Sequence, residues 1–298
     1  MLFAPLGLGP PFRCASLRPQ MRALALKVNI VKVLELNYLD DIAKKILASK
    51  DPIFIESNLR YVLQFYSVLN YEMAYDRSYL RARKCTAPSG FNNVSELGCP
   101  PNELVQAGRL NEPNEPILYV STSQFSILEE IKCEEGDYVH VIAYEHKPST
   151  KIRCAILGEA TQVSRWGRAL SSDHLGRELN RIMNGMTFDV GRSFLYTDAF
   201  LSSIMKDVSA PQSNYIHSRI LAKLLLEKHD GLDGIIYPSV ALESAMNIAI
   251  KPKSADKLFK IGANFVLKIN KKYKYGIYDF EVVRNAKGQH SDGTIVWQ

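Results

Sequence analysis

Helices mixed among short strands predict an α/β or α+β fold for this chain. Three observations carry that prediction. Two helix-like stretches precede residue 75, the texture changes from Tyr79 onward to short strands and turns, and short apolar runs at 117–120 and 234–237 stand beside helical segments. The 298 residues suffice for one large domain or two small ones, and a 46% hydrophobic content gives ample material for a core.

Taken in order, residues 1–20 are rich in Pro and Gly. Pro5, Pro10 and Pro11 interrupt the apolar stretch and no basic residue precedes it, which argues against a secretory signal. The Arg-bearing, acid-free start has features of an organellar transit segment, but residues 1–26 read better as a flexible extension, or as sequence ahead of a true start at Met21. Residues 27–35 are β-branched and strand-like. Helices are predicted near 38–49 and 57–74, the second capped by Ser57-Asn58. Ile117 to Val120 is a buried-strand candidate, Thr122 or Ser123 caps a helix running to about Ile131, and Tyr138 to Tyr144 reads as another strand. Over 213–229, Ile216, Ile220, Leu224 and Leu225 share one helical face, with Gly231 just past the end, and the helix leads into the apolar run Gly234 to Tyr237. There is no internal repeat and no low-complexity segment.

Charge and cysteine usage exclude several classes. Arg13, Arg18, Arg22, Lys27 and Lys32 carry much of the excess; setting those five aside from the 37 basic residues leaves 32 against 31 acidic ones. No basic stripe of the kind that holds phosphodiester backbones is present, so no nucleic-acid partner is expected. No apolar run approaches the roughly 18 residues of a membrane span, and none is expected. The five cysteines (14, 85, 99, 133 and 154) form no CxxC pair and suit a reducing cytoplasm, while the six histidines lack metal-ligand spacing, so no metal is expected. There is no P-loop, no GxGxxG and no GxSxG elbow.

Several residues could carry chemistry. Arg109, between Gly108 and Asn111, presents a planar fork suited to phosphate, or is a surface arginine beside the turn at Pro113-Asn114-Glu115-Pro116. Glu129 and Glu130 both fall off the apolar side of their helix, and periodicity does not choose between them or separate either from an ordinary solvated glutamate. Ser239 follows Tyr237-Pro238 at a strand end, a common place for a ligand contact and equally for turn chemistry. Tyr119 is either a core tyrosine or an aromatic face for a planar ring. Ser121-Thr122-Ser123 is similar to the serine-threonine-serine element of some ADP-ribosylating toxins, and is also an ordinary helix cap.

The blocks in order are Tyr79-Leu80-Arg81-Ala82-Arg83, Glu96-Leu97-Gly98 with Pro100-Pro101, Gly108-Arg109-Leu110-Asn111, Leu118-Tyr119, Glu130-Ile131-Lys132 with Gly136-Asp137, and Asp233-Gly234 to Tyr237-Pro238-Ser239. This series resembles the RES domain, a family named for its arginine, glutamate and serine. The resemblance covers roughly residues 78–265. It implies an α+β fold of ADP-ribosyltransferase-like type, a mixed sheet core with flanking helices, preceded by a mostly helical N-terminal segment. The expected division is a 1–26 extension, a 27–77 strand and helical segment, the 78–265 RES domain and a 266–298 C-terminal strand and tail.

The resemblance further implies a toxin of a bacterial toxin–antitoxin pair that degrades NAD⁺ by phosphorolysis or hydrolysis, with inorganic phosphate as a co-substrate in the first case. A transferase that ADP-ribosylates a protein is the alternative, and a non-catalytic nucleotide- or partner-binding module is a second. By motif, the catalytic residues are Arg109, Glu130 and Ser239, the family register favouring Glu130 over Glu129. Arg81, with Arg83 as its alternative two residues on, would anchor pyrophosphate or phosphate together with Arg109; Tyr119 and Asn111 complete the substrate contacts, Tyr119 beside the nicotinamide. The implied partner is a cognate antitoxin protein. The residues ahead of the family region could cover the pocket, build a homo-oligomer or bind a partner.

Overall fold

The computed structural model describes residues 33–73, 78–242 and 245–298. The strand expected over 27–35 and the extension at 1–26 fall largely or wholly outside the described residues. The chain is α+β: eight helices accompany one ten-stranded sheet among the described residues, every strand pair antiparallel except one.

Helix α1 (Leu36–Ala48) buries Leu39, Ile42, Ala43 and Ile46, an i, i+3, i+4, i+7 stripe. Helix α2 (Pro52–Gln64) starts where Asp51 accepts a hydrogen bond from the Ile53 amide and Pro52 occupies the first helical position. The sequence placed this helix at 57–74, with a cap at Ser57-Asn58. In the structure it begins and ends earlier, because the Asp-Pro start signal lies upstream and Leu69–Met73 is claimed by the sheet as strand β1. That strand pairs with residues 152–156, a long-range choice invisible to local periodicity.

The remaining elements are β2 (Tyr79–Cys85), β3 (Leu118–Ser121), α3 (Gln124–Glu130), β4 (Tyr138–His146), β5 (Ile152–Ile156), α4 (Glu159–Trp166), α5 (Asp173–Asn184), α6 (Phe188–Lys206), α7 (Ile216–Lys228), β6 (Gly234–Pro238), β7 (Met246–Ile250), α8 (Pro252–Leu258), β8 (Phe259–Lys272), β9 (Tyr278–Gln289) and β10 (Ile295–Trp297). Spatial order across the sheet is β1-β5-β6-β7-β3-β2-β4-β8-β9-β10, with β5 and β6 parallel. Strand β8 runs without a break across residue 265, so residues 266–298 continue the same sheet.

Helices α1, α2 and α4 to α7 contribute to the main core with strands β1, β3, β5, β6 and β7. A second cluster seats Ile127 and Leu128 of α3 on β2, β4 and β8. A third, smaller one is formed by Leu97, Ile142 and Ile295, with Phe91, Val94 and Trp297 packed around it. The candidate site lies where the end of α3, a helix of the second cluster, reaches β6 and β7 of the first.

Candidate active site

Ser121, Asn247 and Tyr237 are cross-strand partners and form one row across β3, β7 and β6. Tyr119, two residues along β3, lies on the same face. Helix α3 drops onto this row. Its cap is Ser123, which accepts from the Ser126 amide at 3.3 Å, and its last residue is Glu130. The chain then turns through Lys132 in the left-handed region.

Two adjacent carboxylates at a helix C-terminus oppose the helix dipole, a position that stability alone does not favour. The structure gives each glutamate its own partners. Glu129 accepts from the Tyr278 hydroxyl and pairs with Lys272 at 3.7 Å. Glu130 accepts on Oε1 from Ser239 Oγ at 2.8 Å and from Asn247 Nδ2 at 2.5 Å. Its other oxygen, Oε2, accepts no hydrogen bond among the described residues, and the side chain is exposed.

Both donors are rigidly held. Ser239 Oγ accepts from the amides of Ala241 (3.2 Å) and Leu242 (3.1 Å), so one hydroxyl organises the turn after β6 while donating to Glu130. Asn247 Oδ1 accepts from Ser126 Oγ at 3.3 Å, which orients the amide with Nδ2 toward the carboxylate. Ser239 and Asn247 are 4% and 6% exposed, so their polar atoms are desolvated and the bonds to the charged oxygen correspondingly strong. Tyr237 is buried beside them; burial, then the neighbouring Tyr119 and Glu130, push its phenol well above the ordinary range.

The other predicted residues form separate groups. The Tyr119 hydroxyl donates to Asn111 Oδ1 at 2.8 Å and accepts from the Leu110 amide at 2.9 Å, while Asn111 Nδ2 donates to the carbonyls of Gln106 and Glu112. Burial pushes the Tyr119 phenol upward as well, so it stays neutral at physiological pH. Gly108 closes this knot: a Cβ there would lie 2.3 Å from Asn111 Oδ1.

Arg109 Nη1 donates to the carbonyls of Met205 and Asp207, both at 2.9 Å, and its guanidinium lies 5.6 Å from the Tyr215 ring centroid. It therefore ties the 108–111 turn to the C-terminal end of α6. Asp207 and Tyr215 also line a cavity of about 370 Å³ between α1, α6 and α7, and none of Glu130, Ser239 or Asn247 lines it. Leu80, not Arg81, pairs with Ser121, so Arg81 leaves the sheet on the opposite face. There Arg81 Nε donates to the Leu97 carbonyl at 2.8 Å and Nη1 to the Tyr119 carbonyl at 3.3 Å, and burial lowers its pKa. Arg83 is exposed, bonded to the Glu96 carbonyl and 5.1 Å from the centroid of the Phe91 ring.

Thus Glu130 and Ser239 come into direct contact, Tyr119 and Asn111 form a second contact group, and the three arginines bond backbone carbonyls around them. Sequence reasoning missed Asn247. Its signal was present: one amide in the otherwise apolar run Met246 to Ile250, a buried polar group that requires a partner. Among the described residues there is no group of three or more side chains that could hold a metal, and no helix is long and apolar enough to cross a membrane.

No family model matches the chain, and no curated protein matches it. Among solved structures it is similar to the crystal structure of the M. tuberculosis MbcT–MbcA toxin–antitoxin complex, at 9% identity and a TM-score of 0.30, over 66% of this chain and 87% of that one. A likeness at that level does not bear on the site, which stands on its own geometry.

Proposed function

We propose that the protein is a RES-type toxin that degrades NAD⁺ by cleaving its nicotinamide–ribose bond. The single observation that carries this reading is the Glu130 carboxylate, fixed through one oxygen by two buried donors and open through the other. Such a carboxylate is preorganised to stabilise positive charge built on a ribose ring. When the C1′–N bond breaks, its electron pair leaves with nicotinamide and C1′ takes on oxocarbenium character. Glu130 Oε2 faces that charge or holds a ribose hydroxyl, and an acceptor oxygen from water or phosphate forms the new bond to C1′. Ser239 and Asn247 act by fixing the rotamer of Glu130. Arg81 bonds the Tyr119 carbonyl and Arg109 holds the 108–111 turn against the end of α6, so both brace the backbone that carries Tyr119 and Asn111. The motif order supports the family side of the reading, and with it a cytoplasmic toxin held by a small antitoxin protein.

The test is NAD⁺ consumption by the purified protein with and without inorganic phosphate, with Glu130→Gln alongside. Phosphate-dependent loss absent from the variant establishes a phosphorylase, and phosphate-independent release of ADP-ribose a hydrolase. Absence of loss in both buffers overturns free NAD⁺ degradation; covalent label transferred from NAD⁺ to a protein would then mark the transferase reading.

A further inference from the structure

The tip of the β8–β9 hairpin, Lys271 to Ile277, has a composition that folding does not explain. Tyr275 is 90% exposed and sits at φ 66°, the left-handed region in which a bulky side chain is an outlier. Tyr273 and Ile277 are also exposed. Lys271 lies 5.2 Å from the Tyr273 ring centroid, and neither Lys271 nor Lys274 has a carboxylate partner among the described residues. An aromatic that is both exposed and in a strained backbone region contributes nothing to the core, and such outliers concentrate where ligands are held.

This tip also touches the candidate site. Gly276, at φ +71°, sits so close that a Cβ would lie 2.9 Å from Leu242 Cδ1 and 3.4 Å from Glu129 Cγ. Leu242 belongs to the turn organised by Ser239, and Glu129 precedes Glu130. At the base of the tip, Tyr278 and Lys272 both bond Glu129. Meanwhile Arg81 and Arg109, expected to meet phosphates, bond backbone carbonyls. A dinucleotide reaching Glu130 with its ribose still needs cations for its diphosphate and a face for its distal base.

We propose that the hairpin tip is the outer half of the ligand site, with Lys274 receiving the diphosphate and the Tyr275 ring stacking on the distal base of a dinucleotide. The inference rests on the NAD⁺ reading above. A planar base on a rigid ring and ammonium groups on phosphate are the recurring means by which proteins hold nucleotides without reading the base edge.

The experiment compares the full chain with Tyr275→Ala, Tyr275→Phe and Lys274→Gln, using calorimetric binding of ADP-ribose and steady-state cleavage of NAD⁺ and of nicotinamide mononucleotide, which lacks the distal half. Expected for Tyr275→Ala is a loss of about tenfold in ADP-ribose affinity, the scale of one base–aromatic stack. The KM for NAD⁺ rises by a similar factor with kcat unchanged, and mononucleotide cleavage stays as it was. Tyr275→Phe restores binding. Unchanged ADP-ribose affinity in both Tyr275→Ala and Lys274→Gln overturns the proposal, as does absence of ADP-ribose binding to the unaltered chain. Tip-dependent ADP-ribose binding without NAD⁺ turnover upholds the tip and sinks the cleavage reading; turnover with tip-independent binding does the reverse. Because the Tyr275 side chain lies in solvent, its removal leaves folding intact, which thermal melting checks.

Discussion

Glu130 receives two hydrogen bonds on one oxygen and none on the other among the described residues, so its partners act as a unit. Removing either donor frees part of the carboxylate's motion; removing the second then has less left to disturb. Ser239→Ala and Asn247→Ala are each expected to lower kcat for NAD⁺ about tenfold to a hundredfold, the range for a lost hydrogen bond to a charged group. The double variant should fall short of the product of the two, with a coupling of about 1 kcal/mol. Strictly multiplicative losses in this cycle would show that the two donors serve separate ends. Asn247 also bonds Ser126, and Ser239 also holds the amides of Ala241 and Leu242, so both variants are expected to melt below the unaltered chain, read by thermal denaturation.

The 108–111 turn shows how a short element is set by a single atom's space. Tyr119, Asn111 and the Leu110 amide close a hydrogen-bonded knot against Gly108, whose missing side chain leaves room for Asn111 Oδ1. Gly108→Ala is therefore expected to break the Asn111–Tyr119 bond and destabilise the protein by about 1–3 kcal/mol, the penalty for an overpacked or unpartnered buried group; an unchanged denaturation midpoint would contradict it. Elements whose signals are local were legible. Ser123 caps α3, residues 118–121 form the strand beside it, and α7 lies within the 213–229 stretch. What was not legible depends on distant partners. Residues 69–73 read as helix until β5 claims them, and Glu129 and Glu130 are indistinguishable by periodicity until β7, β9 and the Ser239 turn give each its own donors. The arginines were legible as residues but not as contacts, since the carbonyls they meet belong to α6 and to the Leu97 turn.

The ten strands are sealed at the C-terminal side by a small core, and its chemistry makes the protein sensitive to acid. His140 on β4 is fully buried, stacked on Phe91 and 5.2 Å from the Trp297 ring of β10. The Phe91 amide donates to Nδ1, so the neutral ring carries its proton on Nε2, which has no partner. Burial, aided by Arg284 lying over Trp297, lowers the imidazole from 6.5 to about 4. Between those values the unfolded chain binds a proton that the folded one refuses, so stability is full above about pH 6.5 and falls as pH drops toward 4. His146 and His229 are shifted downward by burial as well and act in the same direction. From pH 7 to pH 5 the His140 contribution amounts to about 2 kcal/mol. His140→Gln keeps an acceptor for the Phe91 amide but does not titrate, so its unfolding free energy should decline less steeply over that interval, read by chemical denaturation at each pH. Parallel slopes for the two proteins would place the acid sensitivity elsewhere than in the core that β10 closes.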